Sequence, residues 1–157
     1  MRIDEDEAVP AAPPPFGARG VAAAYVDGSA LAQFLPDAAL HEAWLAWAEG
    51  RRLVTNPVGI TELHGIAFPR GAAARAAADE VESGVEVLRF TDRALQTASH
   101  VSTALSSFVA LHIGTAVADP DVDTVATYQL DLARVAVLYG LAVASPGWPD
   151  RWWHQGP

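Results

Sequence analysis

Short apolar segments alternate with longer amphipathic segments along most of the chain. The short segments are rich in valine, alanine and leucine, which is typical of buried parallel strands. The predicted strands cover residues 21–27, 53–55, 85–90, 122–127 and 141–144. The segments between them place apolar residues at helical spacing and predict helices at about residues 37–50, 61–68, 72–84, 92–98, 103–117 and 130–139. This alternation predicts an α/β fold with a mainly parallel sheet of about five strands and helices on both faces.

Three polar residues are predicted to cap helices. Asp37, Thr61 and Thr91 each precede a segment with helical spacing. A side-chain oxygen at that position accepts a hydrogen bond from a free backbone N–H of the first turn. For Thr61, this predicts a brief helix that carries Glu62 and stops before Pro69.

The pattern predicts one domain between two terminal segments. Residues 1–19 combine an acidic cluster with several prolines and predict a flexible tail, which either solubilises the chain or docks on a partner. Residues 20–147 are predicted to form the domain. Residues 148–157 form a tryptophan-rich extension, which either packs back onto the domain or makes a homodimer or partner contact.

The bulk composition sets the broad class. With 157 residues, of which 51% are hydrophobic, the chain has enough apolar content for one core. No apolar run approaches the roughly 20 residues that span a bilayer, and the N-terminus is acidic where a secretory signal is basic. Cysteine is absent, which is compatible with a reducing compartment. We therefore expect a soluble cytoplasmic protein with no membrane partner.

The charge pattern restricts the chemistry. The chain has 19 acids and 10 bases, a net charge of −9, and every base is an arginine. Without lysine there can be no Schiff base and no P-loop lysine. The excess of acids disfavours non-specific binding to long nucleic acid. The arginines between residues 51 and 93 are either solvated helix ends or a local phosphate-binding rim.

Asp27 is the leading candidate for chemistry, because it lies at the end of the first predicted strand, where functional groups gather in parallel sheets. A phosphate-sensing receiver domain needs a lysine, which the chain lacks. A haloacid-dehalogenase-type phosphatase needs a lysine and a second aspartate at the position of Ser29. A dinucleotide-binding turn needs more glycines than Gly28 alone supplies.

Five segments together resemble the PIN domain family, in particular the VapC-type toxin branch of toxin–antitoxin systems. Residues 25–31 (Tyr-Val-Asp-Gly-Ser-Ala-Leu) resemble its first-strand motif, and residues 61–63 resemble its second motif. Residues 109–116 (Val-Ala-Leu-His-Ile-Gly-Thr-Ala) resemble its Asp-Ala-Leu-His-Leu-Ala-Thr-Ala helix. Residues 127–133 resemble its Thr-Tyr-Asp segment, and residues 140–147 its closing strand and turn. The resemblance implies a PIN-like three-layer α/β/α sandwich over residues 20–147.

The resemblance also implies a metal-dependent ribonuclease site. In that family Asp27 and Glu62 would be catalytic and would bind Mg²⁺ or Mn²⁺, with further aspartates completing the site. Hard cations of this kind need oxygen ligands while they activate water and neutralise a phosphodiester. Here the further positions hold Val109, which cannot bind metal, and Gln129, a neutral oxygen donor.

Other residues could contribute to this site. Asp131 lies two residues after Gln129, but on a helix it points about 200° away. Asp123 falls near the amino end of its predicted strand, away from the expected site. His112 is expected to be a hydrogen-bonded core residue, and His64 a possible cleft residue.

These observations leave three hypotheses. The first is a degenerate PIN-like domain with weak or absent metal binding, which acts by binding an antitoxin-like protein, a second copy of itself in a homodimer, or RNA. The second is an active Mg²⁺- or Mn²⁺-dependent endoribonuclease toxin. The third is an unrelated α/β enzyme, which a closed pocket away from Asp27 would favour.

Overall fold

The computed structural model describes residues 20–156, so the predicted tail at residues 1–19 lies outside the described residues. Five strands form one sheet. They are β1 (Ala23–Val26), β2 (Arg52–Thr55), β3 (Glu86–Val87), β4 (Val122–Ala126) and β5 (Ala142–Ala144). The strand order is β3-β2-β1-β4-β5, and each neighbouring pair is parallel. The prediction of an α/β fold with about five mainly parallel strands is therefore confirmed.

Seven α-helices connect the strands. They are α1 (Gly28–Leu31), α2 (His41–Ala48), α3 (Pro57–Ala67), α4 (Ala72–Gly84), α5 (Asp92–Val101), α6 (Ser107–Ala118) and α7 (Leu130–Leu138). Short 3₁₀ turns lie at Ala32–Phe34, Phe68–Arg70 and Trp152–His154. The count refers to residues 20–156.

Two apolar cores, one on each face of the sheet, make the three layers. On one face Val26 packs with side chains of α1 to α4, including the fully buried Trp44 and Leu63. On the other face Tyr25 packs with side chains of α6 and α7, including Ile113. Neighbouring residues of β1 thus point to opposite faces, as the pleat of a strand requires. Removal of this apolar surface from water is the main stabilising contribution, at about 25 cal/mol per Å².

The helix starts differ from the prediction at two of the three proposed caps. Thr91 caps α5 by accepting a hydrogen bond from the Ala94 N–H, as predicted. Asp37 is wrong as a cap, because α2 begins four residues later and has no side-chain cap. Thr61 is also wrong, because α3 already begins at Pro57. The side chain of Asn56 caps α3, and proline suits the first helical position because it lacks the N–H that would stay unpaired there.

The C-terminal extension packs back onto the domain, which was one of its two predicted placements. The indole N–H of Trp152 donates to the Ser145 hydroxyl at 2.8 Å, and the Trp148 ring lies edge-on to Tyr128 with centroids 5.1 Å apart. The last turn is therefore held at the carboxyl end of β5.

The strand order places a switch point between β1 and β4. From β1 the chain moves outward to β2 and β3, then returns to the other side for β4 and β5. Crevices at the carboxyl ends of such strands are where α/β sheets bind ligands. Asp27 directly follows β1 and Thr127 directly follows β4, so both lie at this position.

Candidate functional site

Asp27 is fully buried at the carboxyl end of β1, and donors of the protein surround its carboxylate. Its Oδ1 atom accepts hydrogen bonds from the Ser29 hydroxyl at 2.7 Å and from the Ala30 N–H at 3.1 Å. Its Oδ2 atom accepts one from the Thr127 hydroxyl at 2.8 Å. The aspartate therefore caps α1 and joins β1 to β4 through a contact between residues 100 positions apart.

Burial raises the pKa of the Asp27 carboxyl above its ordinary value, because the charged form loses its hydration. His112 and the hydrogen bonds from Ser29, Thr127 and Ala30 act in the opposite direction and limit the rise. Burial, followed by the charge of Asp27, also raises the pKa of Tyr128 to about 12. The carboxylate is thus held by short-range donors in a poorly solvated position.

Glu62 reaches the same end of β1 from α3. Its Oε2 atom accepts a hydrogen bond from the Gly28 N–H at 2.9 Å, so Glu62 contacts the residue that directly follows Asp27. A Cβ atom on Gly28 would lie 2.2 Å from the Cβ of Glu62, which is closer than real contacts allow. Glycine at position 28 is therefore required for α1 and α3 to approach this closely.

His112 links Glu62 to the sheet. Its Nε2 atom lies 3.0 Å from each carboxylate oxygen of Glu62, and its Nδ1 atom lies 2.7 Å from the Tyr25 hydroxyl. A neutral imidazole satisfies both contacts when Nε2–H donates to Glu62 and the Tyr25 hydroxyl donates to Nδ1. Burial, followed by the charges of Asp27 and Glu62, raises the pKa of Tyr25 well above its ordinary value, which keeps this hydroxyl protonated. The prediction that His112 is a hydrogen-bonded core residue is confirmed.

Asn56 sets the position of α3 relative to α6. Its amide nitrogen donates to the Thr115 hydroxyl at 3.0 Å and to the Leu111 carbonyl at 3.2 Å, while its amide oxygen caps α3. The residue is fully buried, so each contact replaces one with water. This arrangement directs the helix that carries Glu62 toward the helix that carries His112.

The two positions that depart from the PIN pattern lie in different surroundings. Val109 is buried at 5% exposure and packs in the apolar core with Tyr25, Val54 and Ile113. Gln129 is half-buried at the start of α7, where its backbone N–H donates to the Thr127 hydroxyl and its side chain makes no capping hydrogen bond. Neither position contributes a negative charge.

Three other acids near the sheet, two of which were considered as substitutes, lie away from Asp27 and Glu62. Asp131 is exposed in the first turn of α7. Asp123 is exposed on β4 and accepts a hydrogen bond from Thr124. Asp121 pairs with Arg52 at 2.9 Å at the amino end of the sheet. None of these three carboxylates shares a hydrogen-bond partner with Asp27 or Glu62 in the contacts described for residues 20–156.

His64 does not join Asp27 and Glu62. It pairs with Glu82 on α4, and a third ligand atom on Asp79 lies within 4.8 Å of both. These side chains are half-buried or exposed, and exposed groups of this kind are common without a bound ion. The contacts of His64 therefore give no support to the prediction that it lines the cleft.

The donor set does not fit a preformed site for Mg²⁺ or Mn²⁺. Such ions take about six oxygen ligands and need free carboxylate lone pairs. Only Asp27 and Glu62 of the expected acids come together, and protein N–H and O–H groups occupy both carboxylates. Weak or absent binding of Mg²⁺ or Mn²⁺ therefore stays a prediction.

Sequence reasoning assigned no contact in this site to Tyr25, Gly28, Ser29 or Thr127, although all four lie in segments that resemble the PIN family. Ser29 was noted as part of the first-strand motif and because a phosphatase would need an aspartate there. Its spacing of two residues after a strand-end aspartate is a usable signal, since a hydroxyl there can return to the carboxylate. No local signal reveals Thr127, because its contact depends on β4 being adjacent to β1.

An apolar groove of about 730 Å³ lies at the opposite end of the sheet. Its lining includes Val21, Phe34, Leu45, Leu53 and Val81, with residues from the amino ends of β2 and β3. The groove is open to solvent, so it is not the closed pocket that would favour an unrelated enzyme.

Comparison with protein-family models gives no match to this chain, and comparison with curated proteins gives none either. No helix in the described part of the chain has both the length and the apolar character needed to cross a membrane.

Proposed function

We propose that this chain is a PIN-like domain protein, related to toxin–antitoxin ribonucleases, that has little or no metal-dependent nuclease activity. Its role is then to bind a protein partner or RNA. The observation that carries the proposal is the state of the two retained acids, Asp27 and Glu62. Both lie at the switch point of the sheet, and both already accept hydrogen bonds from the protein itself.

The hydrogen bonds reduce the need for a cation. Three donors reach Asp27, and two reach Glu62 from Gly28 and His112. A metal must displace or share these donors, and each buried donor left unpaired costs about 1–3 kcal/mol. The internal network therefore competes with metal binding.

The missing acids weaken binding further. Two aspartates at positions 109 and 129 would add two negative charges, where the chain has Val109 and Gln129. Attraction between a divalent ion and a carboxylate in a partly desolvated cleft is worth several kcal/mol. Val109 packs in the apolar core and supplies no oxygen ligand.

An active endoribonuclease toxin is the second candidate. The specific observation in its favour is that Asp27 and Glu62 still flank the Gly28 N–H at one end of the sheet. An active toxin arrests growth when expressed, and the product of a neighbouring gene relieves the arrest. A degenerate domain does neither.

A cleavage assay tests the proposal. Purified protein is incubated with a broad panel of RNA in Mg²⁺ or Mn²⁺, next to Asp27→Ala and Glu62→Gln. We expect the native chain to cleave the RNA no faster than the two variants do. Cleavage by the native chain that both variants abolish would overturn the proposal and support the active toxin.

A further inference from the structure

A second pocket, of about 330 Å³, lies beside the acidic site at the carboxyl end of β5. Four tryptophans, Trp47, Trp148, Trp152 and Trp153, contribute to its lining. Segment 143–150 completes the lining and includes Asp150.

We propose that this pocket binds an unstacked base of single-stranded RNA, with exposed arginines at its rim contacting the adjoining phosphates. The inference rests on the RNA-binding branch of the proposed function. It adds a binding site and a class of ligand to that function. The pocket would recognise the face of one base and the phosphates next to it, so binding needs no metal.

The tryptophans form a rigid aromatic wall. Trp148 and Trp152 are perpendicular with ring centroids 4.6 Å apart, and Trp152 and Trp153 follow with centroids 6.1 Å apart. The hydrogen bond from Trp152 to Ser145 fixes the middle ring. Trp148 remains 40% exposed, so part of its ring is open to a ligand. Aromatic rings held in this way stack on bases with little loss of side-chain freedom.

Three exposed arginines surround the tryptophans. The Arg51 guanidinium lies over the Trp47 ring at 4.7 Å, and Arg134 donates to the Trp153 carbonyl at 3.1 Å. Arg151 lies between two pocket residues in a left-handed conformation with φ of 55°, the only such non-glycine residue among residues 20–156. A non-glycine residue in this conformation is uncommon and often marks a functional turn. Each guanidinium keeps donors that suit a phosphate.

A chain of hydrogen bonds links the pocket to the acidic site. Trp152 donates to the Ser145 hydroxyl, which donates to the Thr127 carbonyl, and the Thr127 hydroxyl donates to Asp27. Tyr128 contacts Trp148 from the other side. The wall of the pocket is therefore connected to the residues that hold the buried Asp27.

A proline-rich peptide is the competing ligand class, because aromatic grooves also bind polyproline segments. Residues 10–15 of this chain supply such a sequence. Residues 10–15 themselves carry no charge for the three arginines to neutralise, whereas RNA presents a phosphate at every nucleotide. Binding of the peptide is therefore one of the outcomes that the experiment distinguishes.

Binding of fluorescein-labelled RNA octamers, measured by anisotropy in a chelating buffer, tests the inference on the full chain. The probes are oligo(U), oligo(A) and an abasic octamer with the same charge. We expect Trp148→Ala to weaken binding of the two base-containing probes about tenfold, and Trp148→Phe to retain most of it. Neither substitution should change binding of the abasic probe.

The arginines are tested separately from the ring. Arg134→Gln and Arg151→Gln should each weaken all three probes and lower the salt dependence of log K by about 0.7. Phe68→Ala and Arg75→Gln are matched controls, because they break a surface arginine–aromatic contact of 5.6 Å elsewhere on the domain and should change nothing. Circular dichroism verifies that each variant is folded.

Three results would overturn the inference. The first is equal binding of the base-containing and abasic probes, and the second is binding that Trp148→Ala leaves intact. The third is the absence of RNA binding, with or without saturable binding of a peptide of residues 8–16 that Trp148→Ala abolishes. Failure here leaves the proposed loss of nuclease activity untouched, and RNA cleavage in the earlier assay would leave the stacking pocket untouched.

Discussion

The Nε2 atom of His112 lies 3.0 Å from both carboxylate oxygens of Glu62, although the two residues are 50 positions apart. The histidine is fully buried, and the glutamate side chain is 22% exposed. Glu62 thus has a permanent donor from inside the protein where a nuclease needs an available ligand. This contact leads to the first prediction.

Substitution of His112 by alanine should destabilise the fold by about 2–4 kcal/mol. It removes a buried ring, and Glu62 and the Tyr25 hydroxyl each lose a hydrogen-bond partner. Tyr25→Phe removes only one of the two contacts and should cost about 1 kcal/mol. Urea unfolding monitored by circular dichroism gives the free energies. His100→Ala is the control, because His100 is exposed and should cost less than about 0.5 kcal/mol. A loss below 1 kcal/mol for His112→Ala would show that the contact with Glu62 is not structural.

Gly28 and Gly65 should respond to alanine in opposite directions. A Cβ atom at position 28 collides with Glu62, so Gly28→Ala should cost about 1–3 kcal/mol. At position 65, within α3, a Cβ atom meets nothing within 4 Å, so Gly65→Ala should stabilise the helix by about 0.5–1 kcal/mol. Thermal unfolding of the two variants provides the comparison. Similar melting temperatures for both would contradict the close approach of α1 and α3.

Asp27→Asn should stabilise the protein, and the gain should grow with pH. The pKa of Asp27 is raised in the folded state above its ordinary value of 3.8, so the folded state keeps a proton that the unfolded state has released. Unfolding then releases a proton within this window, and stability falls as pH rises from about 4 through the folded pKa. Asparagine has no such dependence and can keep the contacts with Ser29 and Ala30.

The measurement is the difference in free energy of unfolding between Asp27→Asn and the native chain, from pH 3.5 to pH 7.5 in a chelating buffer. We expect a difference near zero at the acid end and a stabilisation that grows as pH rises toward neutrality. Asp123→Asn is the control, because Asp123 is exposed. A gain that shrinks as pH rises would contradict a buried, poorly solvated Asp27.

Local patterns were sufficient to predict the sheet and most helices. β1 and β4 lie within the predicted segments 21–27 and 122–127, and Thr91 caps its helix as a side-chain oxygen before an amphipathic segment should. The start of α3 was missed because Asn56 and Pro57 were read as the end of a strand. The same pair is also a helix cap followed by a favourable first residue.

The candidate site was only partly predictable. Asp27 could be identified from a strand end and Glu62 from the resemblance of residues 61–63 to the second PIN motif, but their partners could not. The Thr127 hydroxyl reaches Asp27 because β4 lies beside β1, and strand order is not encoded in local periodicity. The same limit applies to His112, which was expected to be buried but could not be paired with Glu62 from its spacing.

The central claim is that the acidic site no longer holds a metal ion, and calorimetric titration with Mn²⁺ tests it most directly. The native chain is compared with Asp27→Asn and with the double substitution Val109→Asp/Gln129→Asp, after circular dichroism has verified that each is folded. We predict that the native chain shows no saturable binding of Mn²⁺ that depends on Asp27. We also predict that the double substitution binds Mn²⁺ more tightly than the native chain does. Saturable binding by the native chain, lost in Asp27→Asn and no tighter in the double substitution, would contradict the account.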